Sequence, residues 1–131
     1  MITIEQLERC IKGANINYDR SENSLLLKMS SSKYNFQNTV YLKVDEDKYV
    51  DVICFAFDFK EVTSSVLNLV NEFNRVYRFF SFCIDEDNSL LLKATAIVKE
   101  NNSIDEVVEL MARGCQIMDQ IYPEVQKVMW R

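Results

Sequence analysis

Histidine is missing from this chain, proline occurs once and glycine twice. Without an imidazole there is no ready general base and no usual partner to turn a cysteine into a thiolate. Two isolated glycines leave no glycine-rich loop to cradle a phosphate. The four cysteines, Cys10, Cys54, Cys83 and Cys115, share no C-x-x-C spacing, which removes the common metal and redox motifs. Basic residues are also scarce: 15 Lys and Arg face 20 Asp and Glu, a net charge of −5. Binding nucleic acid needs clustered cations to neutralise phosphates, and docking on an anionic membrane surface needs the same. No apolar run approaches the ~20 residues that span a bilayer. The opening MITIEQLERC carries acids early, where a secretory signal needs an apolar stretch. These absences predict a cytoplasmic protein without cofactor or metal, whose reduced cysteines act as small hydrophobes. They argue against an enzyme, a nucleic-acid binder and a membrane protein.

What is present is the material of one ordinary domain spanning 1–131. Hydrophobic residues make up 48% and charged residues 27%, a globular balance. A domain of this length buries roughly two-thirds of its unfolded surface. Thr3 with Gln6 forms a capping box ahead of the stripe Ile4, Leu7, Ile11, which predicts a helix over about 4–12. Gly13 is placed to end that helix in the left-handed conformation. Ile16–Asp19 and Ser24–Met29 read as short strands about a polar turn, and Ser30–Gln37 as a loop. Thr39–Val44 and Tyr49–Phe57 form the clearest hairpin. Both faces of its second arm become apolar, as in a central strand.

The segment from Glu61 to Val98 reads helix, aromatic strand, acidic turn, long strand. Val62, Val66, Leu69, Val70, Phe73 and Tyr77 recur at helical spacing. Phe80, Phe82 and Ile84 then alternate with Ser81 and Cys83, and Leu90–Val98 answers across Asp85–Asn88. A third helix is expected from a capping box at Ser103 and Glu106. Its stripe is Ile104, Val107, Val108, Met111, Cys115, Met118, Ile121 and Tyr122, with Pro123 breaking or restarting it. Glu22-Asn23-Ser24-Leu25-Leu26-Leu27-Lys28 nearly repeats as Asp87-Asn88-Ser89-Leu90-Leu91-Leu92-Lys93, each copy after a helix and a short strand. The expected architecture is α+β, with N-terminal, central and C-terminal helices against an antiparallel sheet.

These residues carry a resemblance. The helix ending Val70-Asn71-Glu72-Phe73-Asn74, the aromatic strand Tyr77-Arg78-Phe79-Phe80-Ser81-Phe82, the acidic turn from Asp85 and the ending Pro123–Trp130 resemble the YbjN-like family of bacterial sensory transduction regulators. Asn88 stands where that family has glycine in the acidic turn, and asparagine tolerates a positive φ. The resemblance implies a fold similar to the type III secretion chaperones. Those are acidic cytoplasmic proteins, usually homodimers, that hold an extended client segment along sheet and helix. By analogy with them, Val62, Val66 and Val70 of the second helix are candidate dimer residues.

Other constellations favour plain structural readings. In neither acidic turn are the sixth and twelfth positions a glycine and a carboxylate, so neither is an EF-hand calcium loop. Cys10, near Arg9 and Lys12, is the least implausible nucleophile. Arg75 and Arg78 among the aromatics suggest base stacking, yet the chain is acidic and alternate aromatics suit a core. Phe79 falls opposite Phe80 and Phe82, so its exposure would mark an interface. Trp130 is expected in the core or at a dimer contact, and Met111, Met118 and Met129 in the core or on an adaptable surface. The reading is a non-catalytic protein-binding module of chaperone or adaptor type, pairing an extended peptide at a sheet edge. Apolar residues on the weaker or second strand faces, Val40, Leu42, Phe55, Phe57 and Phe79, are its candidate contacts. The alternative is a regulatory domain sensing a small ligand in a pocket between the sheet and the third helix.

Overall fold

The computed structural model describes residues 3–45, 48–97 and 103–129, with the backbone alone for Ser103. Trp130, Glu46 and Asp47, on which expectations rested, lie outside them, and the proposed Ser103 cap lies at their margin. In chain order the elements are α1 (Ile4–Gly13), β1 (Tyr18–Ser21), β2 (Ser24–Ser30), β3 (Gln37–Asp45) and β4 (Tyr49–Asp58). Then follow α2 (Ser64–Val76), β5 (Ser81–Ile84), β6 (Ser89–Ile97) and α3 (Ser103–Met129). The strands form one antiparallel sheet in the order β1-β2-β3-β4-β6-β5. The architecture is α+β, and β4 is central, as its two apolar faces predicted.

The N-terminal cap forms as read. Thr3 Oγ1 accepts from the Gln6 N–H at 3.2 Å, and Gln6 Oε1 accepts from the Thr3 N–H at 2.9 Å. The other end differs. Gly13 stays within the helix, and Asn15 takes the left-handed conformation at φ 58°. α2 starts later than expected, because the Thr63 hydroxyl accepts from the Val66 N–H and fixes the first turn there. Val62 therefore precedes the helix instead of riding on it. Asn88 adopts φ 63°, doing the work of a glycine in the acidic turn. The Asp85 carboxylate in that turn accepts the backbone N–H groups of Asp87 and Ser89, each at 2.9 Å.

All three helices lie on one face of the sheet. α3 crosses β3, β4 and β6 and touches both other helices, while α1 rests on β2 and α2 on β5. Beneath them Leu25, Leu42, Val52 and Ala94 line up across four strands, and Leu27, Val40, Cys54, Leu92 and Phe82 across five. The two halves of the internal repeat sit in the same phase at opposite ends of the sheet. Leu25 and Leu27 of β2 face inward and Leu26 outward, matching Leu90, Leu92 and Leu91 of β6. α3 runs unbroken through Pro123. Losing one backbone bond there costs less than abandoning the burial of Ile121 and Val125 on either side. Its buried stripe is Val107, Met111, Gly114, Ile117, Met118, Ile121 and Val125, whereas Val108 is exposed.

Candidate functional site

The sequence switches β6 from large to small on its inward side. Leu90 and Leu92 are followed by Ala94 and Ala96. Where the side chains shrink, the floor beneath α3 drops away. A groove of about 840 Å³ opens there, between the end of β6, the α3 surface and the segment 76–80. Leu110 and Ile117 of α3, Ala96 of β6, and Tyr77 and Phe80 give it apolar surface. Glu106, Glu109, Arg113 and Arg78 supply charges of both signs. Exposed apolar side chains rim it: Phe79 is 88% exposed, Ile97 62% and Val76 59%. Singly such residues are ordinary, but here they gather around one concavity.

The geometry of residues 77–80 creates this opening. α2 ends as the Tyr77 N–H donates to the Phe73 carbonyl at 3.0 Å, and the Tyr77 ring packs against Phe73 and Phe82. Phe79 then adopts φ 71°, a conformation that is strained for a bulky side chain. The chain swings away from the sheet there and joins it only at Ser81, which pairs with Lys93. Ala94–Ile97 of β6 consequently pair with β4 on one side and, among the described residues, with no strand on the other. The outer edge of β5 is protected instead. The Asn74 side chain accepts the Phe82 N–H at 2.7 Å and donates to the Phe82 carbonyl at 3.0 Å, sealing the backbone groups that an edge strand presents.

The candidate residues of the sequence reading scatter. Phe79 is exposed at the rim of the groove; alternation predicted its exposure, but the expected aromatic strand from Tyr77 is corrected, since the strand begins only at Ser81 and Phe79 stands in a left-handed turn before it. Val40 and Leu42 are fully buried under the helices, and Phe57 packs against Phe36 and Tyr122. These three are corrected to core, because inward alternation on β3 and the irregular register after Phe55 turn them toward α3. Phe55 lies half-buried on the helix-free face, between its cross-strand partners Thr39 and Leu91. Val66 and Val70 are enclosed beneath α2 and Val62 is half-buried ahead of it, so none of these valines forms an outward-facing stripe. Ala96 and Thr95, which line the groove, were missed. The signal was the drop from leucine to alanine along one face of a strand.

The cysteines are free thiols. Burial pushes Cys54 up to about 12, with nearby Cys115 adding to it, and burial with Asp119 nearby pushes Cys115 up to about 11. Both are neutral at pH 7 and serve as packing groups between β4 and α3. Among the described residues no cluster of three or more Cys, Asp or Glu is placed to hold a metal ion, and no helix is long and apolar enough to cross a membrane.

The family model YbjN, described as a putative bacterial sensory transduction regulator, matches residues 3–127. The chain belongs to the YbjN family. The match extends the likeness over the N-terminal half, beyond the segments between Val70 and Trp130 that carried the resemblance. No protein of curated function and no solved structure matches this YbjN chain.

Proposed function

We propose that this protein is a non-catalytic, cytoplasmic binding module of chaperone or adaptor type, which holds an extended segment of another protein. The observation that carries the reading is the groove beside β6, rimmed by the exposed Phe79, Ile97 and Val76. It extends the resemblance to the type III secretion chaperones, whose clients lie extended along sheet and helix. Free thiols suit a reducing compartment. A tagged pull-down from native cells tests it. The expected result is one stoichiometric partner, lost on Phe79→Asp while the melting temperature is kept, since the ring contributes little to the fold. A partner that survives Phe79→Asp overturns the assignment of the site.

A second reading has support in the charged groups Glu106, Glu109, Arg78 and Arg113 around the same groove. They suit a small polar ligand bound between sheet and α3, in keeping with the family's description as a regulator. A ligand-dependent rise in melting temperature across a metabolite panel favours it. Homodimer formation is tested by light scattering over a range of concentrations. A dimer through α2 would draw on its exposed apolar residues, Leu67 and Val76, since Val66 and Val70 are enclosed.

A further inference from the structure

We propose that the edge of β6 at Thr95 and Ile97, unpaired among the described residues, is a strand-addition site. It takes a single extended segment of a client protein with apolar side chains at alternate positions, in the lane that residues 77–79 leave open. The proposal rests on the protein-binding reading above and assigns it a site, a register and a ligand chemistry.

The direction of the backbone groups follows from two hydrogen bonds at the start of β6. The Ser89 carbonyl accepts from Asp85 at 3.1 Å, toward β5, and the Asn88 carbonyl accepts from Phe59 at 2.8 Å, toward β4. In an extended strand successive residues point their backbone groups to opposite sides. The register along β6 against β4 is regular from Leu91 to Ile97. Odd-numbered residues therefore face the β5 side, and the N–H and C=O of Thr95 and Ile97 point into the open lane. Continuing the Ser81 and Lys93 pairing would set Phe79 opposite Thr95 and Tyr77 opposite Ile97. The left-handed turn at Phe79 takes those residues elsewhere. A guest strand fits where the chain's own strand stops short.

The walls decide what kind of guest. α3 bounds one side of the lane and the segment 76–80 another, so a single strand has room where the edge of a second folded copy does not. One set of alternate side chains on the guest would point over Ala96 toward Leu110 and Ile117, which selects apolar residues. The other set would continue the helix-free face beside Thr95, whose hydroxyl bonds Asp51 at 2.8 Å. Main-chain pairing supplies affinity, and the alternate inward positions supply selectivity.

The test uses fluorescein-labelled peptides of about ten residues that alternate valine or leucine with threonine and lysine, compared with peptides of the same composition whose apolar residues are paired. The alternating peptides should bind at least about tenfold more tightly by anisotropy. At saturation the amide exchange of Thr95 and Ile97 should slow at least about tenfold. Thr95→Pro removes an N–H that β4 does not use, so it should keep the fold by circular dichroism and lose the peptide, whereas Thr95→Ala keeps it. Equal binding of both peptide types, no binding up to about 1 mM, or unchanged exchange at these amides each overturns the proposal. Protection of the same amides that rises with protein concentration and no peptide would assign the edge to a second copy, also against it. Should Thr95→Pro fail to fold, the exchange measurement on the natural chain decides alone. A cellular partner lost on Phe79→Asp but kept on Thr95→Pro would leave the protein-binding reading standing and remove strand addition. Peptide binding at Thr95 with no cellular partner that depends on Phe79 would do the reverse.

Discussion

Replacing Gly114 by alanine should destabilise the protein, although alanine is the better helix former. Gly114 lies mid-helix in α3, where the helix passes closest to β4. A Cβ added there would sit 2.7 Å from the Cys54 Sγ, 3.7 Å from Phe80 Cε1 and 3.9 Å from Cys54 Cβ. The last two are ordinary contacts, but the first is about 1 Å inside a comfortable separation. Cys54 is fully buried and its short side chain has little freedom to retreat. Overpacking of this kind costs about 1–3 kcal/mol, against a gain of about 1 kcal/mol in helix propensity. The net expectation is a loss of about 1 kcal/mol, with 2 as the upper end. Cys54→Ala alone should cost about 1 kcal/mol for the deleted sulfur. In the double variant the new methyl occupies the space the sulfur left, so stability should return to within about 1 kcal/mol of the natural chain. The coupling is then about 1–2 kcal/mol in favour of the double variant, outside simple additivity. Urea denaturation followed by circular dichroism measures all four corners. A Gly114→Ala protein more stable than the natural chain, or single effects that add within about 0.5 kcal/mol, would refute the close approach.

Three further outcomes follow from the packing. Asn74→Ala should cost about 1–3 kcal/mol in urea unfolding, because it strips two partners from the Phe82 backbone, and the bared edge should raise aggregation in light scattering. Asn38→Leu should gain about 1–2 kcal/mol, since the buried Asn38 Oδ1 has no hydrogen-bond partner among the described residues and leucine fills similar space; a loss would show that the amide is needed there. Stability should fall as pH rises above about 9 toward 11–12. The unfolded chain gives up its cysteine protons near 9, while burial holds Cys54 to about 12 and Cys115 to about 11. The folded state thus binds more protons in that window, and the slope is at most about 1.4 kcal/mol per pH unit for each thiol. Cys54→Ala should flatten that slope when unfolding is followed against pH.

The elements were legible because most rest on local chemistry. The Thr3 box, the alternating Phe80 and Phe82, and Asn88 in a glycine role each need only a few neighbouring residues to be read. Misreadings arose where tertiary contacts decide. Gly13 looked like a terminator, but nothing in the chain says that Asn15 will take the left-handed position instead. Gly114 was overlooked because a helical glycine has meaning only once the strand beneath it is known. Val40, Leu42 and Phe57 were placed on the wrong side of the sheet, since an alternating pattern does not say which face the helices will cover. Phe57 in addition lies past the irregularity between Phe55 and Asp58. The exposure of Phe79 was legible from the alternating aromatics, but its cause was not, since it stands in a left-handed turn ahead of the strand that begins at Ser81.

The internal repeat gives the strongest argument that the groove is a designed opening and not slack packing. β2 and β6 run in phase, Leu25 with Leu90 and Leu27 with Leu92. The next inward position holds Met29 in β2 and Ala94 in β6, and after that comes Ala96. Met29 reaches α3, its Sδ 4.0 Å from the Cys115 Sγ. One end of the sheet is thus filled by a long flexible side chain, while at the other the inward positions shrink to alanine and the second of them, Ala96, lines the groove. If the hollow is used for binding, filling it should be harmless to the fold and fatal to the function. Ala96→Leu adds apolar volume at the edge of a groove of about 840 Å³ that Ala96 lines; with the new side chain directed into the groove, the melting temperature should hold or rise through added burial. Binding of the alternating peptides should weaken at least about tenfold, since the leucine would occupy the inward positions of the guest. A large loss of stability would show that Ala96 is packed tightly, as a core residue, and that the opening does not extend beneath it. Unchanged peptide binding in a stable Ala96→Leu protein would separate the alanines from recognition altogether.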